Sequence, residues 1–178
     1  MSTDPSLEQR IARLEAIEAI KQLKATYFYA CDHKQPELVR QCYLDGPVEL
    51  DFGRVGQFSH RDELVDVFTE LACQPHIIEM HHAQNPRIQV EDEGRATGTW
   101  GLYYFLIETR QNLVTQLGGF YEDEYRCVGG DWKIAASTFT VTSTLLLDSS
   151  DELLKTLFAG HQAPVEIDDP NRQGGDSP

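Results

Sequence analysis

Four long segments of strand-forming residues fill the second half of the chain and leave it few possible folds. Tight turns rich in glycine, asparagine and aspartate separate them. Strands that follow one another through such turns run antiparallel, which predicts a meander. The predicted strands span residues 76–90, 95–109, 113–127 and 132–147. Because strands of about 14 residues twist strongly, we expect the sheet to curl.

The first half of the chain is predicted to be mainly helical. Apolar residues recur every three or four positions over residues 6–34, and Ser6 with Gln9 forms a capping-box pattern at the start of this segment. Shorter helices are predicted at residues 36–43 and 61–72, the second capped by Ser59 or Asp62.

Smaller elements complete the prediction. A short hairpin is expected from Val48–Phe52 and Val55–Phe58, and a last helix from Asp148 to about Phe158. Helices followed by an antiparallel sheet indicate the α+β class. We expect one domain over residues 1–160 and a polar, flexible tail over residues 161–178.

The charge of the chain excludes several classes of function. It carries 15 basic and 29 acidic residues, a net charge of −14, which disfavours nucleic acid and anionic membrane surfaces as partners. Its densest basic segment includes Lys21 and Lys24, interleaved with glutamates, and is interpreted as a solvated helix face. No segment is apolar enough to span a membrane, and the N-terminus has no apolar signal region. Four cysteines without a CxxC pattern are expected to be free thiols in the cytoplasm.

The end of the first helix carries polar groups into the protein core. Residues 25–31 are apolar on almost every side of the helix, so this part is expected to be buried. Asp32 and His33 follow at once, and buried polar groups need partners. A curled sheet packed against helices leaves a pocket, which Tyr27 and Asp32 would face.

A histidine cluster offers two chemical interpretations. His76, His81 and His82 lie close in sequence, but His81 points to the opposite strand face from the other two. Zinc needs three or four convergent ligands, so a metal site is not favoured. Alternatively, one of these histidines pairs with Asp32 to form a general base that works near neutral pH. The residues alone leave open a purely structural role for that pair.

Aromatic residues are frequent on the predicted strands and at the end of the first helix. About half of those on strands must point inward, and most inward-facing aromatics belong to a core. A pocket lined by phenols and indole would nevertheless suit a planar or polycyclic apolar ligand. The set is Tyr27, Tyr29, Trp100, Tyr103, Tyr104, Phe105, Phe120 and Tyr121.

Four motifs carry a resemblance to a known family. In order, they are IEAIKQLKATYFYACD, GRVGQFSHRDELVDVF, HHAQNPRIQVEDEGRATGTW and GGFYEDEYRCVGGDWKIAASTF. Over residues 8–147 the chain resembles the SnoaL-like branch of the nuclear transport factor 2-like superfamily, which includes polyketide cyclases and dehydratases. The resemblance implies a cone-shaped α+β barrel with a deep pocket. It also implies that Asp32 pairs with His81, four residues before Asn85, and that Tyr27 lies in the pocket.

The resemblance further implies a lyase of dehydratase or cyclase type that needs no cofactor. Its substrate would be a hydroxylated, carbonyl-bearing cyclic or polyketide-like molecule. By strand parity and motif position, the pocket wall is expected to comprise Phe28, Cys31, Asn85, Trp100, Leu102, Tyr104, Leu117 and Ser137. Eliminating members carry an arginine near the position of Ser137, which this chain lacks.

Other members of the superfamily keep two alternatives open. An isomerase could use the same pocket, although the position matching the aspartate of ketosteroid isomerases is Leu50. A non-catalytic binding or assembly subunit, such as an oxygenase β-subunit, could have the same fold. The family contains dimers and trimers, so a homo-oligomer is expected.

Overall fold

The computed structural model describes residues 4–150, 156 and 158–160. Its elements, in chain order, are α1 (Leu7–Asp32), α2 (Pro36–Cys42), β1 (Pro47–Asp51), β2 (Gln57–His60), α3 (Arg61–Leu71), β3 (Ile77–Val90), β4 (Arg95–Glu108), β5 (Leu113–Val128) and β6 (Asp131–Asp148). The α+β prediction is confirmed, and the predicted bounds of these elements are within about two residues of those observed.

The six strands form one curled, mixed sheet. Its strand order is β2-β1-β6-β5-β4-β3, and every neighbouring pair is antiparallel except β1 with β6. The predicted meander of β3 to β6 is confirmed. β1 pairs with β6 in parallel, with Glu49, Leu50 and Asp51 opposite Ala136, Ser137 and Thr138. The sheet stays open, since β2 and β3 form its two edges.

Capping residues set the ends of the helices. The Ser6 hydroxyl accepts from the backbone N–H of Gln9, whose side chain accepts from the Ser6 N–H, as predicted. At α3 the prediction of Ser59 or Asp62 is wrong, because His60 is the N-cap. Its ring accepts from the Asp62 N–H, while the Glu63 carboxylate reaches back to two backbone N–H groups.

The C-terminal half of α1 lies against the concave face of the sheet. Ile20, Phe28 and Ala30 are buried there, as the apolar texture of this segment predicts. Lys24 is also fully buried, so its interpretation as part of a solvated helix face is wrong. On the opposite, outer face of the sheet, Met80, Tyr103 and Phe120 are exposed.

Two further observations concern the cysteines and the described helices. All four cysteines are free thiols, as predicted. Among the described helices, none has the length and apolarity needed to cross a bilayer. The predicted helix from Asp148 to Phe158 and the tail over residues 161–178 depend on residues outside those described.

Candidate active site

A cavity of about 330 Å³ lies between the concave face of the sheet, the end of α1 and α3. Its walls are mainly apolar, as in most small-molecule sites. Nine of its lining residues come from α1, β3, β4 and β5, namely Tyr27, Cys31, Ile77, Glu79, His81, Leu102, Tyr104, Leu117 and Tyr121. α3 and the β1–β2 hairpin cover them with Leu64, Val67, Phe68, Leu71, Phe52 and Val55.

Asp32 and His81 form a close polar contact at the wall of this cavity, which His81 lines. Asp32 is the last residue of α1, and β3 brings His81 beside it. The imidazole Nδ1 lies 2.7 Å from Asp32 Oδ1. The backbone N–H of His81 donates to both oxygens of the same carboxylate, at 3.1 and 3.2 Å. With Nδ1 donating to a carboxylate, a neutral imidazole keeps Nε2 free to accept a proton.

Aromatic rings fix the plane of the His81 imidazole. The Phe28 ring stacks on it with centroids 5.5 Å apart and planes 20° apart. The Tyr104 ring lies 4.8 Å away at 55°. Phe28 therefore contributes to the site by supporting the imidazole, while Tyr104 also lines the cavity.

Two buried phenols supply hydrogen-bond donors near this pair. Tyr27 lies five residues before Asp32 on α1, and Tyr121 lies on β5. Burial raises the pKa of both phenols well above the usual range, so both remain protonated at neutral pH. Each can donate its hydroxyl proton to an oxygen atom inside the cavity.

A second polar group, which the sequence analysis missed, lies on the same wall as His81. Glu79 is two residues before His81 on β3, and its side chain is only 7% exposed. Its carboxylate pairs with the ammonium group of Lys34 and accepts a 2.6 Å hydrogen bond from the Tyr104 hydroxyl. Burial, and then the charge of Glu79, raise the pKa of Tyr104. The alternation of side chains along β3 was the signal that could have identified Glu79.

Of the eight residues expected in the pocket wall, four line the cavity, Phe28 stacks on His81 without being a lining residue, and three lie elsewhere. The four are Cys31, Leu102, Tyr104 and Leu117. Asn85 is exposed at an irregularity of β3 and has a φ of 51°. Trp100 donates its indole N–H to Tyr125, and Ser137 donates to Asp123. Both face the concave side, but they belong to a buried polar cluster rather than to the cavity wall.

This buried polar cluster surrounds the charged pair of Lys24 and Asp123. The Lys24 Nζ lies 2.7 Å from Asp123 Oδ2, and both side chains are at most 1% exposed. The hydroxyls of Tyr125 and Ser137 also donate to the Asp123 carboxylate, at 2.7 and 2.6 Å. The ammonium group lies 3.9 Å from the centroid of the Tyr121 ring, in cation–π range. Burial lowers the pKa of Lys24, and the charge of Asp123 opposes that effect.

The three neighbouring histidines do not converge. His76 Nε2 lies 3.7 Å from Glu108, whereas the exposed His82 lies against Tyr103 on the outer sheet face. Within the described part of the chain, no group of three or more histidine, cysteine, aspartate or glutamate side chains is placed to hold a metal ion.

Comparison with known proteins gives a family model and a set of similar folds. The model of the SnoaL-like domain matches residues 12–138. A crystal structure of a type 2 hexachlorocyclohexane dehydrochlorinase is similar with a TM-score of 0.71 and 17% identity, over 78% of this chain and 93% of that one. A scytalone dehydratase-like protein from Novosphingobium aromaticivorans has a TM-score of 0.71 and 20% identity, over 85% and 99%.

A third similar structure is named for a different activity. It is an aromatic ring hydroxylase-like protein, also from Novosphingobium aromaticivorans. Its TM-score is 0.67 and its identity 16%, over 75% of this chain and 94% of that one. At these identities the structural likeness establishes a common fold, and the chemistry must be argued from the cavity.

Proposed function

This chain belongs to the SnoaL-like domain family, and from that premise we propose that it is a lyase of dehydratase type. Its substrate would be a hydroxylated, carbonyl-bearing cyclic or polyketide-like molecule. The observation that carries the proposal is the 2.7 Å contact between His81 Nδ1 and Asp32 Oδ1 at the wall of a mainly apolar cavity. It provides a general base where a small organic molecule can bind.

The reaction starts with proton abstraction by His81. Its Nε2 removes a proton from the carbon next to the substrate carbonyl, and the electron pair of the C–H bond moves into an enolate. Asp32 stabilises the imidazolium that forms. Tyr27 donates a hydrogen bond to the carbonyl oxygen, where negative charge develops. A base placed in this way contributes typically about 10²- to 10⁴-fold in rate.

The second step expels the hydroxyl group. The enolate electrons form a carbon–carbon double bond as the carbon–oxygen bond breaks. The departing hydroxide takes the proton that His81 carries and leaves as water, which restores the neutral imidazole. Acid, base and a carbonyl are sufficient for this sequence, so we propose that the protein works without a cofactor. A cyclisation or an isomerisation would use the same three side chains.

A binding or assembly subunit is the second candidate function. The observation that favours it is the exposure of Met80, Tyr103 and Phe120 on the outer sheet face, since apolar surface of this kind often marks an interface. We propose that this face forms a homodimer or homotrimer in the cytoplasm. In the assembly alternative, Asp32 and His81 would have only a structural role.

Product analysis tests the proposal. Purified protein is incubated with cyclic hydroxyketones and hydroxylated polyketides, and the products are analysed by mass spectrometry. Loss of one water in the wild type, abolished in His81→Ala, supports a dehydratase. A rearranged product of unchanged mass would identify an isomerase. No product across the panel, with wild type and variant equally well folded, would contradict the enzyme proposal and favour the binding alternative.

A further inference from the structure

Glu79 is a buried charged group inside the cavity that the proposed reaction does not use. One carboxylate oxygen pairs with Lys34, and the other accepts the hydrogen bond from Tyr104. Placing a carboxylate in an apolar wall costs free energy even when it is paired. Apart from these two partners, the cavity residues on the same strand and on β4 include the aliphatic Ile77, Leu102 and Leu106.

The polar atoms on this wall are all available as hydrogen-bond acceptors. Each oxygen of the Glu79 carboxylate keeps a second lone pair after its one contact. The Tyr104 hydroxyl has used its single proton on Glu79, so its oxygen can only accept. His81 Nε2 is likewise an acceptor while Nδ1 donates to Asp32. A molecule that contacts this wall must therefore present donors to it.

The net charge of the wall also favours a neutral hydrogen-bond donor over an anion. Asp32 and Glu79 are two carboxylates, and Lys34 is the cation paired with the second. With a neutral imidazole, these groups sum to a net charge of −1, which repels an anionic ligand in a cavity of low dielectric. A neutral hydroxyl is repelled far less and can donate to a charged acceptor, the stronger class of hydrogen bond.

We propose that Glu79 and Tyr104 form a hydroxyl-recognition site beside His81, which selects neutral substrates carrying an O–H donor. The proposal rests on the proposed function only in placing the substrate in this cavity. It adds a specificity-determining residue, Glu79, and a substrate class. Anions and ethers of the same ring size bind more weakly.

Three naphthalene probes of similar ring size test this selection. They are 2-naphthol, which donates an O–H, 2-methoxynaphthalene, which cannot, and 2-naphthoate, which is an anion. Dissociation constants are measured by calorimetry for the wild type, Glu79→Gln and Glu124→Gln. The last is the matched control, because the Glu124 side chain is 56% exposed. Circular dichroism checks that each variant is folded, and Glu79→Leu is a second variant that removes the acceptor altogether.

The expected results separate the charge of Glu79 from the shape of the cavity. Wild type and Glu124→Gln bind 2-naphthol about tenfold more tightly than the ether, the size of one charge-assisted hydrogen bond. In Glu79→Gln that preference falls below about threefold, and in Glu79→Leu it disappears. The dissociation constant of the ether is the same for all variants. The weaker binding of 2-naphthoate becomes less pronounced when the charge of Glu79 is removed.

Failure of the wild type to prefer 2-naphthol over its ether, including failure to bind either, overturns this proposal. So does an unchanged preference in folded Glu79→Gln and Glu79→Leu. Because the measurement is binding, it does not depend on turnover. A normal probe preference together with an absence of product would contradict the proposed reaction alone. Product formation without the probe preference would contradict only the role of Glu79.

Discussion

Asp32 holds His81 by its side chain and by its backbone at the same time. One carboxylate accepts from the imidazole Nδ1 and from the backbone N–H of the same residue. The carboxylate thereby joins the end of α1 to β3 and also sets the tautomer of the imidazole. The same carboxylate would therefore serve both the fold and the proposed chemistry, and the two roles can be separated by substitution.

Asp32→Asn keeps the shape of the side chain and removes its charge. We expect the rate of proton abstraction to fall about 10²-fold or more, since the imidazolium loses its counter-charge. The free energy of unfolding should fall by much less, about 1–2 kcal/mol, because the amide oxygen still accepts one hydrogen bond. Initial rates and urea unfolding measure the two effects. A loss of stability without a loss of rate would indicate a structural pair.

Lys24→Met leaves the Asp123 carboxylate buried without its ion-pair partner. We expect a loss of about 3–5 kcal/mol in the free energy of unfolding, the usual result of breaking a buried pair on one side. The double variant Lys24→Met/Asp123→Leu should recover part of that loss. Lys21→Met is the control, because the Lys21 side chain is 44% exposed. A loss below about 1 kcal/mol for Lys24→Met in urea unfolding would contradict the buried pair.

The cysteines should differ in reactivity. Burial raises the pKa of the Cys31 thiol, and it raises the pKa of Cys42 to about 11. Both are buried, whereas Cys127 is half-buried. Because the thiolate is the reactive form, iodoacetamide at pH 8 should modify Cys127 at least about tenfold faster than either. Peptide mass spectrometry measures the order, and urea-unfolded protein should show four similar rates. Rapid labelling of Cys31 in the native protein would argue against a closed cavity wall.

Glu63 should stabilise α3 only in its ionised form. Backbone N–H groups of Ser59 and His60 lower the pKa of this carboxyl from its usual value of 4.5. A lowered carboxyl pKa contributes stability that is fully present above pH 4.5 and is lost as the pH falls through the folded-state value. The difference in Tm between wild type and Glu63→Ala should therefore be largest near pH 7 and should shrink in acid. A difference in Tm between wild type and Glu63→Ala that stays constant with pH would contradict the cap.

Local signals made much of this fold predictable. The turns after β4 and β5 need left-handed backbone, and the sequence supplies Asn112, Gly129 and Gly130 there, all with positive φ. Those turns define the lengths of β4, β5 and β6. The pairing of Asp32 with His81 followed from motif position, since 49 residues separate them and no local pattern joins them.

Long-range pairing explains what the sequence did not reveal. Lys24 lies in a helical segment rich in charge, and only its partner on β5, Asp123, accounts for its burial. Glu79 pairs with Lys34, which lies 45 positions earlier in the sequence. The alternation of side chains along β3 is interrupted at Asn85, because the pairing register with β4 shifts between Gln84 and Arg87. Strand parity does not predict such a shift.

Solvent deuterium incorporation tests the central claim, that His81 is the base for a carbon acid. Wild type, His81→Ala and His82→Ala are incubated in D₂O with cyclic ketones and hydroxyketones, and carbon-bound deuterium is measured by NMR. His82 is the matched control, an adjacent histidine that is exposed on the outer sheet face. We expect incorporation by wild type and His82→Ala, and a loss of about 10²-fold or more in His81→Ala. Equal incorporation by folded His81→Ala, or none by the wild type across the panel, would contradict that claim.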